Sequence, residues 1–505
     1  MYWSSLAAEL RAMILDALIQ EGNVAHCACV SQEWKTAIGK HNFRSIRLTA
    51  SDVPVLETLT AQNFGLIQYI WYCVELEEYD CSACDKDETE ETTEANWVTL
   101  KDSIRSLFCA LSARPMKGKL TLDISVHSPS DNQHFFKYIC FEHADVHRSK
   151  GVAQQTSLQH TPLHDSIHNA ALPPDFTVID RLFPDIDFSD AEDGDAAFWA
   201  TVPQVHSVTG LLLRRQTRRR WDPQALIQLT ARLPNLQEAW YEPWREWSRM
   251  FQRSTDNRKC SPNSMTALPL IRLTTATGTE RFFKSLISHN MKRLTIFEDL
   301  RETYIAANFS GLHPPSDAEP IRTVSIKVTQ TLAEASLKLE HLSAAFVTDA
   351  ARFWEARQPQ WIWGQLLTLS LTSRMLVPTA SPEKINSMLQ AAAEAAMNMP
   401  KLVCMELWNG GQDHASVFRY RIALSRVGKP ASIVWRSTRD LNVDAKVVSM
   451  WSAVAKSRSA GSFEVFKELL GPEYMIQSHG DAVDVLELQN QVACPVSIQQ
   501  IRKEH

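Results

Sequence analysis

Glycine is scarce in this chain, with sixteen in 505 residues. Enzymes that cradle phosphate groups use glycine-rich loops, because only a backbone without side chains can approach the ligand closely. The sequence has no G-x-x-x-x-G-K-[ST] loop and no G-x-G-x-x-G turn. It also lacks the G-x-S-x-G nucleophile elbow and the H-E-x-x-H zinc motif. We therefore expect a protein that is not an enzyme and needs no cofactor.

Long apolar runs and a strong charge of one sign are also missing. No eighteen consecutive residues are apolar, and Glu9 and Arg11 interrupt the first apolar stretch, which argues against a membrane span or a secretory signal. The net charge of −6 is small for 505 residues. It argues against nucleic acid or an anionic membrane as a partner of the whole protein. We expect a cytoplasmic or nuclear protein.

Ten cysteines in such a compartment are expected to be mostly free thiols. The pair Cys81-x-x-Cys84 stands apart because it lies in the polar stretch EYDCSACDKDETEE. This spacing is half of a zinc knuckle, which Cys73 or a distant histidine can complete. No second pair follows at zinc-finger distance. We expect two reduced thiols in a polar loop and no bound metal, with a zinc-binding protein as an alternative.

Apolar residues recur at helical spacing near the start of the chain, at Leu6, Leu10, Met13, Ile14, Ala17 and Leu18. Val24 to Val30 is apolar enough for a second, buried helix. Ser31 lies at an N-cap position before a third helix that carries Trp34. Phe43, Ile46 and Leu48 then alternate as in a strand. The pattern predicts three short helices followed by a strand.

These residues resemble an F-box. The resemblance depends on the opening L-x-x-E-L, the Ile14-Leu15 and Val30-Ser31 pairs, Trp34, and the closing segment from Phe43 to Leu48. It implies that residues 1–45 dock on the small adaptor of a cullin-RING ubiquitin ligase through Leu6, Leu10, Ile14, Leu15, Val30 and Trp34. The family usually starts with Leu-Pro, whereas Ala7 and Ala8 stand here, so the first turn is less pre-organised. The alternative is a helical cap on a larger domain.

Helix-like and strand-like segments alternate through residues 46–141 and 201–505. Strands are predicted in VTGLLLRRQ, KRLTIFEDL, LLTLSLTSRML and KLVCMELWNG. Helices are predicted at 223–233, 281–288, 332–357 and 382–399. The junctions ARLPNLQEAWY and MNMPKLVCMELW each place a proline between a helix and a strand. The fold prediction is α/β, a three-helix F-box followed by an irregular leucine-rich-repeat-like helix/strand solenoid.

Two polar segments interrupt this alternation. Residues 142–200 carry five histidines up to His168 and then an acidic run, with little apolar period. Residues 254–280 also lack a clear period. Both are expected to be insertions between repeat-like units.

The segment 211–248 combines a run of arginines with several aromatic residues. Arginine and tryptophan commonly anchor recognition surfaces, and the candidate substrate-binding residues are Arg218, Arg219, Arg220, Trp221, Tyr241, Trp244 and Trp247. Single-stranded nucleic acid stacked on these aromatics is a weaker alternative. The structural alternative is that the arginines stack on the tryptophans and pair with Glu238, Glu242 and Glu246.

Nearly the whole chain also resembles fungal F-box proteins of unassigned function. The motifs are the N-terminal box, WYCVELEEYDCSAC at 71–84, LTLDISVHSPSD at 120–131, and the block from RRRWDP to EPWREW. The resemblance implies a receptor that binds the adaptor and cullin scaffold and recruits an unknown protein substrate. The alternative is an interaction scaffold that does not engage a ligase.

Overall fold

The structure is a computed structural model that describes residues 3–21, 24–113, 118–134, 181–186, 188, 195–245, 278–299, 325–423 and 430–504. The predicted insertions fall largely between these ranges, so most of 142–200 and 254–280 lies outside the described residues. None of the helices in the described ranges has the length and hydropathy needed to cross a membrane.

The chain begins with a helical unit, which we call the N-terminal helical unit (residues 3–44). It contains helix α1 (Ala8–Glu21), a 3-10 helix (Ala25–Cys29) and helix α2 (Gln32–Arg44). The Ser31 hydroxyl accepts a hydrogen bond from the Trp34 amide at 3.3 Å, which starts α2 as the sequence predicts. Arg11 of α1 pairs with Glu33 of α2 at 2.9 Å. The two helices are therefore joined at their facing sides.

A mostly parallel sheet of twelve strands follows, and its strands lie in the sheet in chain order. Its strands are β1 (Ser45–Thr49), β2 (Tyr69–Glu75), β3 (Leu120–His127), β5 (Val208–Leu213), β7 (Glu238–Tyr241), β8 (Arg293–Phe297), β9 (His341–Ala345), β10 (Thr368–Thr372), β11 (Cys404–Gly411), β12 (His414–Ile422), β13 (Ala431–Ser437) and β14 (Phe463–Leu469). Among the described strands, only β12 runs antiparallel to both of its neighbours. A separate parallel pair joins β4 (Asp185–Ile186) to β6 (Arg220–Trp221).

Helices connect most of these strands. They are α3 (Val53–Thr58), α4 (Ala61–Phe64), α5 (Glu90–Ser112), α6 (Asp195–Thr201), α7 (Pro223–Ala231), α8 (Gly278–Ser288), α9 (Ile326–Ala335), α10 (Ala350–Glu355), α11 (Pro382–Met397), α12 (Ala445–Ser457), α13 (His479–Val485) and α14 (Pro495–Lys503). Parallel strands need such crossovers, because the chain must return to the end of the sheet where the previous strand began before it can form the next one.

The two faces of the sheet have different surroundings. On one face, leucines and isoleucines at alternate strand positions form a continuous core with the connecting helices, such as Leu122 and Ile124 of β3. On the other face, Trp408 and Val417 pack with residues of α13 and α14. The same face of β3 carries Asp123, which is fully buried. The C-terminal helices thus cover the face that the other helices leave open.

One predicted helix is wrong. The segment 332–357 contains the end of α9, the strand β9 and the short helix α10. The strand reads HLSAA, in which alanine and serine favour helix as much as strand. It becomes a strand because β8 and β10 both pair with it. Pairing on both edges outweighs the local preference.

Candidate functional site

The N-terminal helical unit presents apolar side chains to solvent. Leu10, Met13 and Ile14 are 49%, 66% and 39% exposed, and their spacing places them on one side of α1. We call these three residues the apolar stripe. Val30, which follows the 3-10 helix, is 64% exposed. Leu15 and Ile19 on another side of α1 are buried. Helix α1 therefore has one apolar side packed inside and a second one facing outward.

The six predicted adaptor-binding residues differ in their exposure to solvent. Leu10, Ile14 and Val30 are exposed. Leu6 and Trp34 are half-buried, and the Trp34 ring lies 5.3 Å from the Trp3 ring. Leu15 is buried and unavailable to a partner in this conformation. The exposed members are the ones that a docked protein can contact directly.

The arginine block lies in the protein interior. Arg214, Arg215 and Arg218 are each 1% exposed. Among the candidate substrate-binding residues, Arg218, Arg219, Trp221 and Trp244 are buried, Arg220 and Tyr241 are partly exposed, and Trp247 lies outside the described residues. Substrate binding by this set stays a prediction, but little of its described surface is accessible.

Each arginine in the block has a carboxylate partner. The ion pairs are Arg214 with Asp123 at 2.8 Å, Arg215 with Asp299 at 2.5 Å and with Glu504 at 2.8 Å, Arg218 with Glu504 at 3.0 Å, Arg219 with Asp131 at 2.7 Å, and Arg220 with Asp185 at 2.6 Å. We call this set the arginine–carboxylate cluster. Charges taken out of water need such partners, because an unpaired buried charge is strongly destabilising.

The stacking that the sequence predicts is present, and the ion pairs of the described residues use carboxylates other than the predicted Glu238 and Glu242, while Glu246 lies outside the described residues. The guanidinium carbons of Arg215 and Arg218 lie 4.3 and 4.5 Å from the Trp244 ring centroid. Glu242 accepts hydrogen bonds from the backbone amides of Arg215 and Cys494. The carboxylates that pair with the guanidinium groups lie as far as 289 residues away. The sequence analysis did not identify these carboxylates, because they lie far from the arginines along the chain.

The alternation of apolar and polar residues along β3 is one sequence feature that points to this cluster. The segment LTLDISVH places Asp123, Ser125 and His127 on the face opposite its leucines, and all three are buried. When a strand is buried on both faces and carries polar residues on one of them, those residues need polar partners in the interior. Glu504 offered no comparable signal, since it follows a short helix of ordinary composition.

His127 makes stability depend on pH. Burial lowers the pKa of His127 to about 4, although the Asp131 carboxylate acts in the opposite direction. Between pH 6.5 and 4 the unfolded chain therefore binds a proton that the folded chain does not. The free energy of unfolding is expected to fall by about 3 kcal/mol from this residue as pH decreases through that range. Denaturant titrations at several pH values, with the wild type and His127→Gln, measure the effect.

The same titrations on His206→Gln provide the control, since His206 is exposed. Its pH dependence should follow that of the wild type, whereas His127→Gln should lose less stability in acid. An identical acid dependence in the wild type and His127→Gln would refute this assignment.

The C-terminal half of the sheet matches a known family model. Residues 286–494 are similar to a family of unknown function, DUF6546. The match covers less than half of the chain and begins before β8, so it leaves out the N-terminal helical unit and the arginine block. No curated protein has significant similarity to the chain.

Proposed function

We propose that the chain is a non-catalytic F-box substrate receptor of a cullin-RING ubiquitin ligase. In this proposal the N-terminal helical unit binds the adaptor, and the sheet domain recruits a protein substrate. The observation that carries the proposal is the exposed apolar stripe on α1, formed by Leu10, Met13 and Ile14.

Exposure of the apolar stripe is unfavourable unless a partner covers it. Burying apolar surface contributes roughly 25 cal/mol per Å², and a helix of a monomeric domain normally turns such a stripe inward. Apolar residues at i, i+3 and i+4 are the anchors used when a helix binds in the groove of another protein. The F-box resemblance of these same residues favours the adaptor as that partner.

The order of the strands supports a repeat-like domain for substrate binding. Strands that follow one another in both chain and sheet, with helices between them, are expected of a leucine-rich-repeat-like solenoid. The antiparallel strand β12 departs from that pattern. We propose an irregular solenoid in which the first nine strands of the sheet, from β1 to β11, supply the repeat-like units.

Co-purification tests the proposal. The intact chain and a variant lacking residues 1–44, which retains β1, are expressed in cells under proteasome inhibition. The adaptor and the cullin scaffold are expected to co-purify with the intact chain alone. Proteins that bind both forms but accumulate ubiquitin only with the intact chain are substrates. Failure of the intact, folded chain to bind purified adaptor would contradict the proposal.

The second candidate is a scaffold whose F-box-like unit does not engage a ligase. Ala7 and Ala8 favour it, because they replace the usual opening of the box, and the burial of Leu15 removes one predicted contact. Under this alternative, Trp34→Ala leaves partner binding intact. Under the receptor proposal, the same substitution weakens adaptor binding while substrate binding remains.

A further inference from the structure

Two loops meet at the ends of β2 and β3. These strands are parallel neighbours, so the segments that follow them leave the sheet at the same edge. The Tyr79 amide donates to the Ser130 hydroxyl at 3.0 Å. The Ser128 hydroxyl donates to the Glu77 carbonyl oxygen at 2.6 Å. The first loop is therefore held against the second by specific hydrogen bonds.

The first loop carries Cys81 and Cys84, and the second carries His134. One ligand atom from each of these residues lies within 4.8 Å of the other two. Cys84 and His134 are 2% and 3% exposed, and Cys81 is partly exposed. Ligand atoms around a tetrahedral zinc ion are about 3.5–3.8 Å apart, given its bond lengths to sulfur and nitrogen. Only small side-chain movements separate this arrangement from a coordinated one.

The turn around the cysteines is held in place by its surroundings. The Asp80 carboxylate accepts a hydrogen bond from the Ser82 amide at 2.9 Å. The Arg181 guanidinium donates to the carbonyl oxygens of Ala83 and Lys86 at 2.5 and 2.8 Å. Fixing the backbone in this way lowers the entropic cost of bringing the two sulfur atoms to one ion.

The His134 ring is held by Tyr79. Its Nε2 lies 3.5 Å from the Tyr79 carbonyl oxygen, and the ring stacks on the Tyr79 ring with centroids 5.3 Å apart. In the tautomer with its proton on Nε2, the ring donates that proton to the carbonyl oxygen, and Nδ1 is the nitrogen whose lone pair can bind a metal. Histidine ligands usually have such a partner for their second nitrogen, because it sets the tautomer and the ring orientation.

We infer that Cys81, Cys84 and His134 form a zinc site that joins the loops after β2 and β3. Thiolate and imidazole ligands select zinc over magnesium or calcium, which prefer oxygen. Solvent completes the tetrahedron beside the partly exposed Cys81. Binding releases the thiol protons to solvent as the two Zn–S bonds form. This inference replaces the expectation of two metal-free thiols and is independent of adaptor binding.

Cobalt binding tests the site directly. The reduced full-length chain, freed of metal by a chelator, is titrated with Co²⁺ in the absence of oxygen. We expect one equivalent to produce thiolate-to-cobalt charge transfer and the intense visible bands of tetrahedral cobalt, and one equivalent of Zn²⁺ to remove them. Zinc is also expected to raise the midpoint of thermal unfolding of the wild type.

Two variants and a matched control keep the result interpretable. Cys81→Ser and His134→Gln should each weaken cobalt affinity at least tenfold, and Cys81→Ser should also reduce the charge-transfer absorption. Cys109→Ser, at an exposed position on α5, should behave as the wild type. Far-ultraviolet circular dichroism establishes that each variant is folded. Absence of the cobalt spectrum in the folded wild type, or an unchanged spectrum in both site variants, would overturn the inference.

Discussion

Arg214→Met is expected to lower the free energy of unfolding by about 3–5 kcal/mol. The Arg214 guanidinium and the Asp123 carboxylate are both fully buried and lie 2.8 Å apart. Methionine retains apolar contact with Trp71, whose ring centroid lies 4.7 Å from the guanidinium carbon. It removes the positive charge, so the Asp123 carboxylate must remain buried without it or take up a proton. Denaturant titration followed by tryptophan fluorescence measures the loss.

Two further variants separate loss of the ion pair from loss of packing. Removing both charges in Arg214→Met with Asp123→Leu should recover a large part of the stability, because no buried charge is then left unbalanced. Arg352→Met should change stability by less than about 1 kcal/mol, since Arg352 and Glu355 form an ion pair that is 59% and 61% exposed. A double variant as unstable as the single one would show that the charges are not the cause.

Replacing Leu10 and Met13 with aspartate is expected to weaken adaptor binding by about 2–4 kcal/mol, a factor of roughly thirty to one thousand. Each substitution places a charge where the proposed interface excludes water. Both side chains are largely exposed in the free protein, so folding should change by no more than about 0.5 kcal/mol for each. Isothermal titration calorimetry with purified adaptor measures the affinity, and thermal unfolding checks the fold.

Val98→Asp provides the comparison. Val98 lies on α5 and is 54% exposed, which matches the exposure of Leu10 and Met13. Its substitution adds one negative charge on α5, outside the N-terminal helical unit, as each single aspartate adds one to the apolar stripe, and it should leave adaptor affinity unchanged. An equal loss of affinity in both cases would point to a general effect of charge, and no loss in either would count against docking through the apolar stripe.

Local patterns predicted the sheet better than the site. The strands β5, β8 and β10 each lie within a segment that the alternation of leucine and isoleucine predicts, and β11 extends one residue beyond its predicted segment, to Gly411. This works because a strand between two neighbours repeats its environment every second residue. The strand β9 was missed because Ser343, Ala344 and Ala345 are small and fit either structure.

The candidate site depended on distant contacts, which limits what the sequence can predict. The periodic stripe on α1 was visible, but periodicity alone does not say which side faces solvent. In the structure Leu15 is buried, whereas its neighbour Ile14 is exposed. His134 lies 50 residues beyond Cys84 in the chain, and it reaches the cysteines because β2 and β3 are adjacent. Such proximity is a property of sheet order, which short motifs do not encode.

The pairing of Arg215 with Glu504 has a consequence for synthesis of the protein on the ribosome. The two residues are 289 positions apart, so Arg215 and Arg218 enter the growing sheet long before Glu504 is synthesised. A nascent chain that stops before residue 494 already contains Asp299 as a partner of Arg215, but it lacks the Glu504 carboxylate that pairs with both arginines. Ribosome-bound intermediates should therefore remain sensitive to protease around residues 215–218 until α14 has left the exit tunnel.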